Sequence, residues 1–347
     1  MAQHIVNISG GKDSQACAAL AALRGRPFKM VMADTGNEND ITLRHIQDLE
    51  AHFGQSIYTV KADFSERIAQ KRQYIQEHWP ADGVPQEHVD RAIDILQPTG
   101  NPFLDLCIWK GRFPSRLAQF CTEFLKVEAV RQQILDPALE DGPVIQWLGI
   151  RRDESANRAK APRLRIIRSQ DGFPLINYSP IIHWTAENVV GFSRKLGIPL
   201  NPLYSMGMGR GGCFPCINAK KRELAEIFSR FPDEIERLKE WESIVAMASK
   251  RGAATFFAPG MTPDGREAAR EFKRRAELIS RRDYPDETGP KLKARIKRIS
   301  AELAKGHPWP DAQKAAEWAK TDRGGRQTNL EFEEPHTGCT SEYGLCE

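Results

Sequence analysis

The sequence predicts an α/β protein with a doubly wound parallel sheet and a helical C-terminal extension. Three observations carry this. Short apolar runs alternate with longer helix-like runs from Ile5 to Val60, in the order strand, helix, strand, helix, strand. A glycine-rich run, Ser9-Gly10-Gly11-Lys12-Asp13-Ser14, separates the first strand from the first helix. Residues 221–320 are dense in charge and helical in pattern. The expected core is therefore Rossmann-like, with ligands beyond the carboxyl ends of its strands.

Taken in order, Ile5 to Ile8 is the first strand and Gln15 to Leu23 an apolar, alanine-rich helix. Lys29 to Ala33 is the second strand, running into Asp34-Thr35-Gly36. Ile41 to Phe53 is helical and Ser56 to Val60 is the third strand. Five prolines between Pro80 and Pro114 suggest that residues 75–118 are an irregular insertion, with one helix near Glu87 to Leu96. Cys121 to Leu135 reads as helix and Val144 to Gly149 as a buried strand. Thr185 to Leu196 reads as a helix with Thr185 as N-cap and Asn188 three places on, an incomplete capping box. Lys220 to Arg251 and Gly265 to Lys305 are mostly helical. The expected division is 1–220 for the nucleotide-binding part, 221–320 for the charged helical part and 321–347 for a loose tail carrying Cys339 and Cys346. There is no internal repeat.

Composition narrows the class. A chain of 347 residues with 40% hydrophobic residues can bury a sizeable core. No apolar run approaches the ~18 residues of a membrane span, and the N-terminus does not open like a signal peptide. These features point to the cytoplasm, where seven cysteines are expected as thiols or metal ligands, not disulfides. The net charge of +4 is modest, but two basic stretches stand out. Arg151, Arg152, Arg158, Lys160, Arg163, Arg165 and Arg168 form one. Lys291 to Arg298 forms the other, and a solvated helix face is its simpler reading.

The Ser9–Ser14 run has the chemistry of an anion cradle. Gly10 and Gly11 let the backbone approach a phosphate, and a helix N-terminus supplies N–H donors and a positive dipole end. Ser9, Ser14 and Lys12 add donors. Asp13 is a poor phosphate contact, so it orients the loop, caps the helix or helps hold Mg2+. The run is neither a P-loop nor a dinucleotide fingerprint, and its plain alternative is a Gly-Ser turn. Further on, Cys213-Phe214-Pro215-Cys216 is a C-x-x-C, a spacing shared by zinc sites, iron–sulfur sites and redox dithiols. No second C-x-x-C and no nearby histidine complete a zinc site. Cys121 is the third candidate ligand; its alternative is an ordinary buried cysteine.

The loop resembles the S-G-G-x-D-S pyrophosphate loop of the adenine-nucleotide alpha-hydrolase-like superfamily, which contains ATP pyrophosphatases and phosphoadenosine phosphosulfate (PAPS) reductases. More of the chain is similar to the PAPS reductase family. Gly149-Ile150-Arg151-Arg152-Asp153-Glu154-Ser155 with Arg158 looks like G-I-R-x-D-E-S-x-x-R. Tyr178 to Thr185 looks like Y-x-P-I-x-x-W-T, and Asn201-Pro202-Leu203-Tyr204 precedes the C-x-x-C as in the family's N-P-L-Y run. Cys121 to Lys126 resembles the upstream cluster motif C-C-x-x-[RL]-K, with Thr122 where the second cysteine would stand.

What this resemblance implies is an enzyme that binds an adenine nucleotide such as ATP, with Mg2+. Cofactor contacts would come from Ser9, Gly10, Gly11, Lys12, Asp13, Ser14, Asp34, Thr35 and Gly36. Lys12, Asp13, Arg151 and Arg158 would be catalytic. It also implies a [4Fe-4S] cluster on Cys121, Cys213 and Cys216, the fourth position being Cys107, Cys339, Cys346 or open. DNA-phosphorothioation sulfurtransferases share this arrangement, which implies a nucleic-acid acceptor and a sulfur donor protein such as a cysteine desulfurase. A homo-oligomer is compatible with it. The alternatives are a PAPS or adenylylsulfate reductase and a non-enzymatic nucleotide sensor. Against the reductase, Tyr343 and Cys346 stand where the reductases' E-C-G-[LI]-H tail has cysteine and histidine.

Overall fold

In the computed structural model, the described residues are 2–155, 158–167 and 172–321. Arg168, Cys339, Cys346 and the expected loose tail lie outside them. β1 (Gln3–Ile8), α1 (Lys12–Leu23), β2 (Lys29–Asp34), α2 (Asp40–Phe53) and β3 (Ile57–Lys61) follow the expected alternation. After them come α3 (Ser65–His78), α4 (Gln86–Ile95) and α5 (Pro102–Lys110). The expected helix from Cys121 to Leu135 contains two π-helical stretches, Thr122–Glu128 and Arg131–Leu135, and runs on into α6 (Asp136–Asp141). Then come β4 (Val144–Trp147), β5 (Leu164–Ile167), β6 (Leu175–Tyr178) and α7 (Ala186–Lys195). The chain closes with α8 (Lys221–Arg230), α9 (Asp233–Met247), α10 (Pro263–Asp283), α11 (Gly289–Leu303) and α12 (Ala312–Ala319).

The six strands form one sheet in the order β3-β2-β1-β4-β6-β5. All neighbours are parallel except β5, which runs antiparallel to β6. The sheet is doubly wound, as the sequence predicts. Its strands alternate sides with a period of two. Ile5 and Val31 face the helix that ends in α6, whereas Val6, Ile8, Met30 and Met32 face α1, α2 and α7. A third core joins α3, α4 and α5 to α8, α9 and α12, with Phe103, Leu106, Phe228, Leu238 and Ala316 among its buried members. The C-terminal helices thus share a core with the insertion after β3.

One expectation needs correction, and two regions are more detailed than the sequence suggests. The insertion is more regular than its prolines suggest. Pro102 occupies the first turn of α5, where no N–H is needed, and Asn101 caps that helix by accepting from Leu104 N–H at 3.0 Å. β5 is an edge strand whose Leu164 and Ile166 are exposed, while β6 buries Leu175 and Tyr178. The helical run from Gly265 to Lys305 is two helices, parted near Pro285 and Pro290. At α7, by contrast, Asn188 does complete the capping box with Thr185.

Candidate active site

The chain leaves β1 for β2 on one side of the sheet and returns to β4 on the other. The ends of β1 and β4 therefore flank the switch point where such sheets bind ligands. The Ser9–Ser14 loop and Gly149 meet there. A Cβ on Gly149 would lie 2.9 Å from the backbone of Asp13 and Ser14, so only glycine lets β4 end this close to the loop. Gly10 turns with φ of 77°, the left-handed region that favours glycine.

The loop is closed by its own serines. Ser14 Oγ donates to Gly11 O at 2.9 Å and accepts from Ser9 N–H at 3.2 Å. Gly11 is the N-cap of α1 and brings no capping side chain, so the helix opens with backbone donors toward the switch point. Lys12 N–H donates to Tyr204 Oη at 3.0 Å, and Lys12 Nζ lies 5.1 Å from the centre of the Tyr204 ring.

Asp13 is fully buried and accepts from Arg151 Nε at 2.6 Å. Arg151 is itself 4% exposed. Burial works against its charge, and the Asp13 carboxylate more than offsets this, holding its pKa above the ordinary value. Arg151 also pairs with Asp153 at 2.5 Å. Glu154 links it to Arg158, pairing with the Arg158 guanidinium and accepting from Arg151 N–H at 3.4 Å. The structure thus brings Lys12, Asp13, Arg151 and Arg158 into one charged chain. Asp13 acts in it as the partner that orients a buried guanidinium.

Asp34-Thr35-Gly36 lies at the end of β2. Asp34 accepts from Gly36 N–H at 2.9 Å and pairs with Lys61 at 2.7 Å. Thr35 is fully buried; its hydroxyl donates to Glu38 at 2.6 Å and lies 3.8 Å from Cys213 Sγ. Thr35 therefore stands between the turn and the thiols.

The thiols come from two places. Cys121 begins the π-helical stretch, while Cys213 and Cys216 sit in a turn clamped from outside. Phe214 N–H donates to Asn37 O at 2.6 Å, Asn37 Nδ2 donates to Pro215 O at 3.1 Å, and Arg237 donates to Phe214 O at 2.6 Å. Burial pushes the Cys121 thiol up to about 12, and the fields of Cys213 and Cys216 add to the shift. Burial also raises Cys213, with Lys126 opposing and Glu38 and Cys216 reinforcing. These three thiols therefore lie within one another's field. Cys107, fully buried on α5, is raised by burial and by Cys121. Burial works against the charge of Lys126, but Cys213, Glu38, Cys121 and Cys216 together outweigh it and raise its pKa. It forms no ion pair among the described residues.

Loop and thiols are fastened together. Asn201 Nδ2 donates to Gly10 O and to Thr42 Oγ1, both at 3.1 Å, and Thr42 Oγ1 donates to Gly211 O at 2.9 Å. A Cβ on Gly211 would lie 2.6 Å from Gly10 O. No role for Thr42, Asn201, Tyr204, Asn37 or Glu38 was readable from sequence. Asn201 and Tyr204 were visible in the N-P-L-Y run, but nothing in spacing pointed them at the loop.

Among the described residues, no group of three or more His, Cys, Asp or Glu converges to hold a single metal ion. Cys121, Cys213 and Cys216 stand in one another's field beside the Lys126 ammonium.

Known proteins resemble this chain in part or along nearly all of it. A family profile described as phosphoadenosine phosphosulfate reductase domain matches residues 103–219. An uncharacterized 37.8 kDa protein of Escherichia phage 186 is 42% identical over 99% of this chain and 96% of its own length. Residues 103–219 thus carry a PAPS reductase domain, and the chain is related along nearly its whole length to the phage protein. The adenosine 5'-phosphosulfate reductase of Staphylococcus haemolyticus is 25% identical over 41% of this chain, and the matched part is 51% of that reductase. A solved PAPS reductase of Candida auris, in complex with phosphate, aligns with 62% of this chain and 83% of its own at 12% identity and a TM-score of 0.38. The matched range contains the thiol turn and the charged segment after β4. No helix among the described residues is long and apolar enough to cross a membrane.

Proposed function

We propose that this PAPS-reductase-family protein is an ATP pyrophosphatase that adenylates an acceptor for sulfur transfer. The observation that carries the reading is the packing of the Ser9–Ser14 loop against Gly211, on the segment that bears Cys213 and Cys216. A nucleotide whose phosphates sit on the loop would have its reacting end beside sulfur ligands. Such chemistry needs positioned donors more than covalent help. The N–H groups at the start of α1, Lys12, Arg151 and Mg2+ would hold the phosphates. An acceptor oxygen attacks the α-phosphorus, a new P–O bond forms, and the bond to pyrophosphate breaks. A sulfide equivalent from a donor protein then displaces AMP, which leaves with the acceptor's oxygen and no net change of oxidation state. A [4Fe-4S] cluster bound by Cys121, Cys213 and Cys216 would supply a place to hold that sulfide. The acceptor class that suits the exposed basic residues after β4, Arg152, Lys160, Arg163 and Arg165, is nucleic acid.

A second reading, sulfonucleotide reduction with release of sulfite, is favoured by the similarity to proteins named adenosine 5'-phosphosulfate reductase. Anaerobic competition between Mg-ATP and PAPS separates the two. A tenfold preference for ATP, ~1.4 kcal/mol, supports adenylation; preference for PAPS overturns it. Cys213→Ala should abolish sulfur incorporation and leave ATP binding intact.

A further inference from the structure

A cavity of about 980 Å3 opens between the α10–α11 pair and residues 251–258, and it shares no lining residue with the phosphate loop or the thiols. Such a volume is ample for a ligand of several rings. Its floor is apolar, made by the buried rings of Phe113, Phe256 and Phe257. Its mouth is cationic on both walls. Arg112 and Arg251 stand on one side, and Lys273, Lys293, Lys297 and Lys305 on the other, all exposed. The single carboxylate in the lining, Glu277, is 3.8 Å from Lys273, and Lys305 pairs with Glu302 at 2.6 Å. Arg112, Arg251, Lys293 and Lys297 make no ion pair among the described residues. Of the basic run that reads as a solvated helix face, Lys293 and Lys297 thus line this cavity.

Aromatic rings complete the lining. Phe272, His307 and Trp309 form a half-buried cluster, with His307 4.8 Å from Trp309 and 5.1 Å from Phe272 between ring centres. Cations on both walls, with rings between them, suit a chain that carries negative charge at regular intervals and flat faces between. Lys293 and Lys297 lie one helical turn apart, close to the spacing of neighbouring phosphates on an extended strand. A duplex would present phosphates to the lysines but no base face to the rings, because its bases are already stacked. An acidic peptide would satisfy the cations and leave the rings without planar partners.

We propose that this groove binds single-stranded nucleic acid, with phosphates on Lys293, Lys297, Arg112 and Arg251 and bases stacked on Trp309 and its neighbours. The proposal concerns a site separate from the phosphate loop and does not depend on turnover there.

The test is fluorescence anisotropy on the full chain without nucleotide, using labelled 20-mer single-stranded DNA, the same sequence as RNA, the DNA duplex and a poly-glutamate peptide. Single strands should bind at least tenfold more tightly than duplex or peptide, and the DNA and RNA arms show which sugar the groove takes. Lys293→Glu with Lys297→Glu should weaken binding at least tenfold and reduce the salt slope by roughly 1.4 for two lost contacts. Trp309→Ala should weaken single-strand binding about tenfold, as loss of one stacked base would. His307→Ala, at a half-buried position, repeats this test if Trp309→Ala does not fold. Equal binding of duplex or poly-glutamate, or no response to the lysine reversal, overturns the proposal. Neither result touches the ATP against PAPS competition, so the two readings fail separately.

Discussion

The phosphate-loop site and the cationic groove are built by opposite means. Around the loop, shape comes from backbone: Gly10, Gly149 and Gly211 sit where a Cβ would meet another main chain at 2.9 Å or less. Charge there is buried and paired, as in Asp13 with Arg151. In the groove the chemistry is carried by exposed side chains that few neighbours constrain. A site made by main-chain contact should fail as a unit. A site made by exposed side chains should weaken piece by piece.

The strongest test of that contrast is Asp13→Ala. It leaves the Arg151 guanidinium buried with only the outward-lying Asp153 and Glu154 near it. Breaking a buried pair costs about 3–5 kcal/mol. Chemical denaturation should show a loss of that size. A loss under about 1 kcal/mol would mean that the surrounding carboxylates already carry the arginine.

Behind the groove floor lies a buried carboxylate, Glu242. It accepts from Phe256 N–H at 2.7 Å and from Ala312 N–H at 3.0 Å, tying the groove floor to the start of α12. Burial raises its pKa to about 7 from the ordinary 4.5. The unfolded chain therefore releases this proton at lower pH than the folded one. The stability is fully present below about pH 4.5 and falls as pH rises toward 7, by up to roughly 3 kcal/mol. Comparing wild type with Glu242→Gln at pH 5 and pH 8 isolates the effect. The wild type should lose about 2–3 kcal/mol more than the variant between the two pH values, and parallel losses would refute the assignment.

Gly211→Ala probes the contact between loop and thiol segment. The added methyl would lie 2.6 Å from Gly10 O and 2.9 Å from Asn201 Nδ2. Overpacking of this kind costs about 1–3 kcal/mol. Nucleotide affinity should fall more than tenfold with it, because the movement displaces the loop itself. Stability lost with affinity unchanged would show that the loop and the thiol segment are independent.

The difference between the regions also explains what could be read from sequence. The loop and the alternation of strands and helices through β3 are local or motif-like, so they were legible; Cys121 was joined to the C-x-x-C only by the resemblance. Residues such as Asn201 and Thr42 act across 159 positions of chain, and no spacing rule predicts that. Prolines misled in the insertion because a proline that starts a helix looks the same in sequence as one that breaks it. The groove was invisible for a further reason. Its walls are Arg112 and Arg251 on one side and α11 on the other, and each alone reads as ordinary charged surface.

The smallest expected effect completes the contrast. Lys293→Glu with Lys297→Glu alters exposed residues that form no ion pair among the described residues, so stability should stay within about 0.5 kcal/mol of wild type. The same double change is expected to weaken nucleic-acid binding at least tenfold. A large function change on an undisturbed fold is what separates a surface site from the loop, where Asp13 and Gly211 should not permit the two to be parted. If the double variant instead melts early, Lys293 and Lys297 serve the packing of α11, and the groove is structural after all.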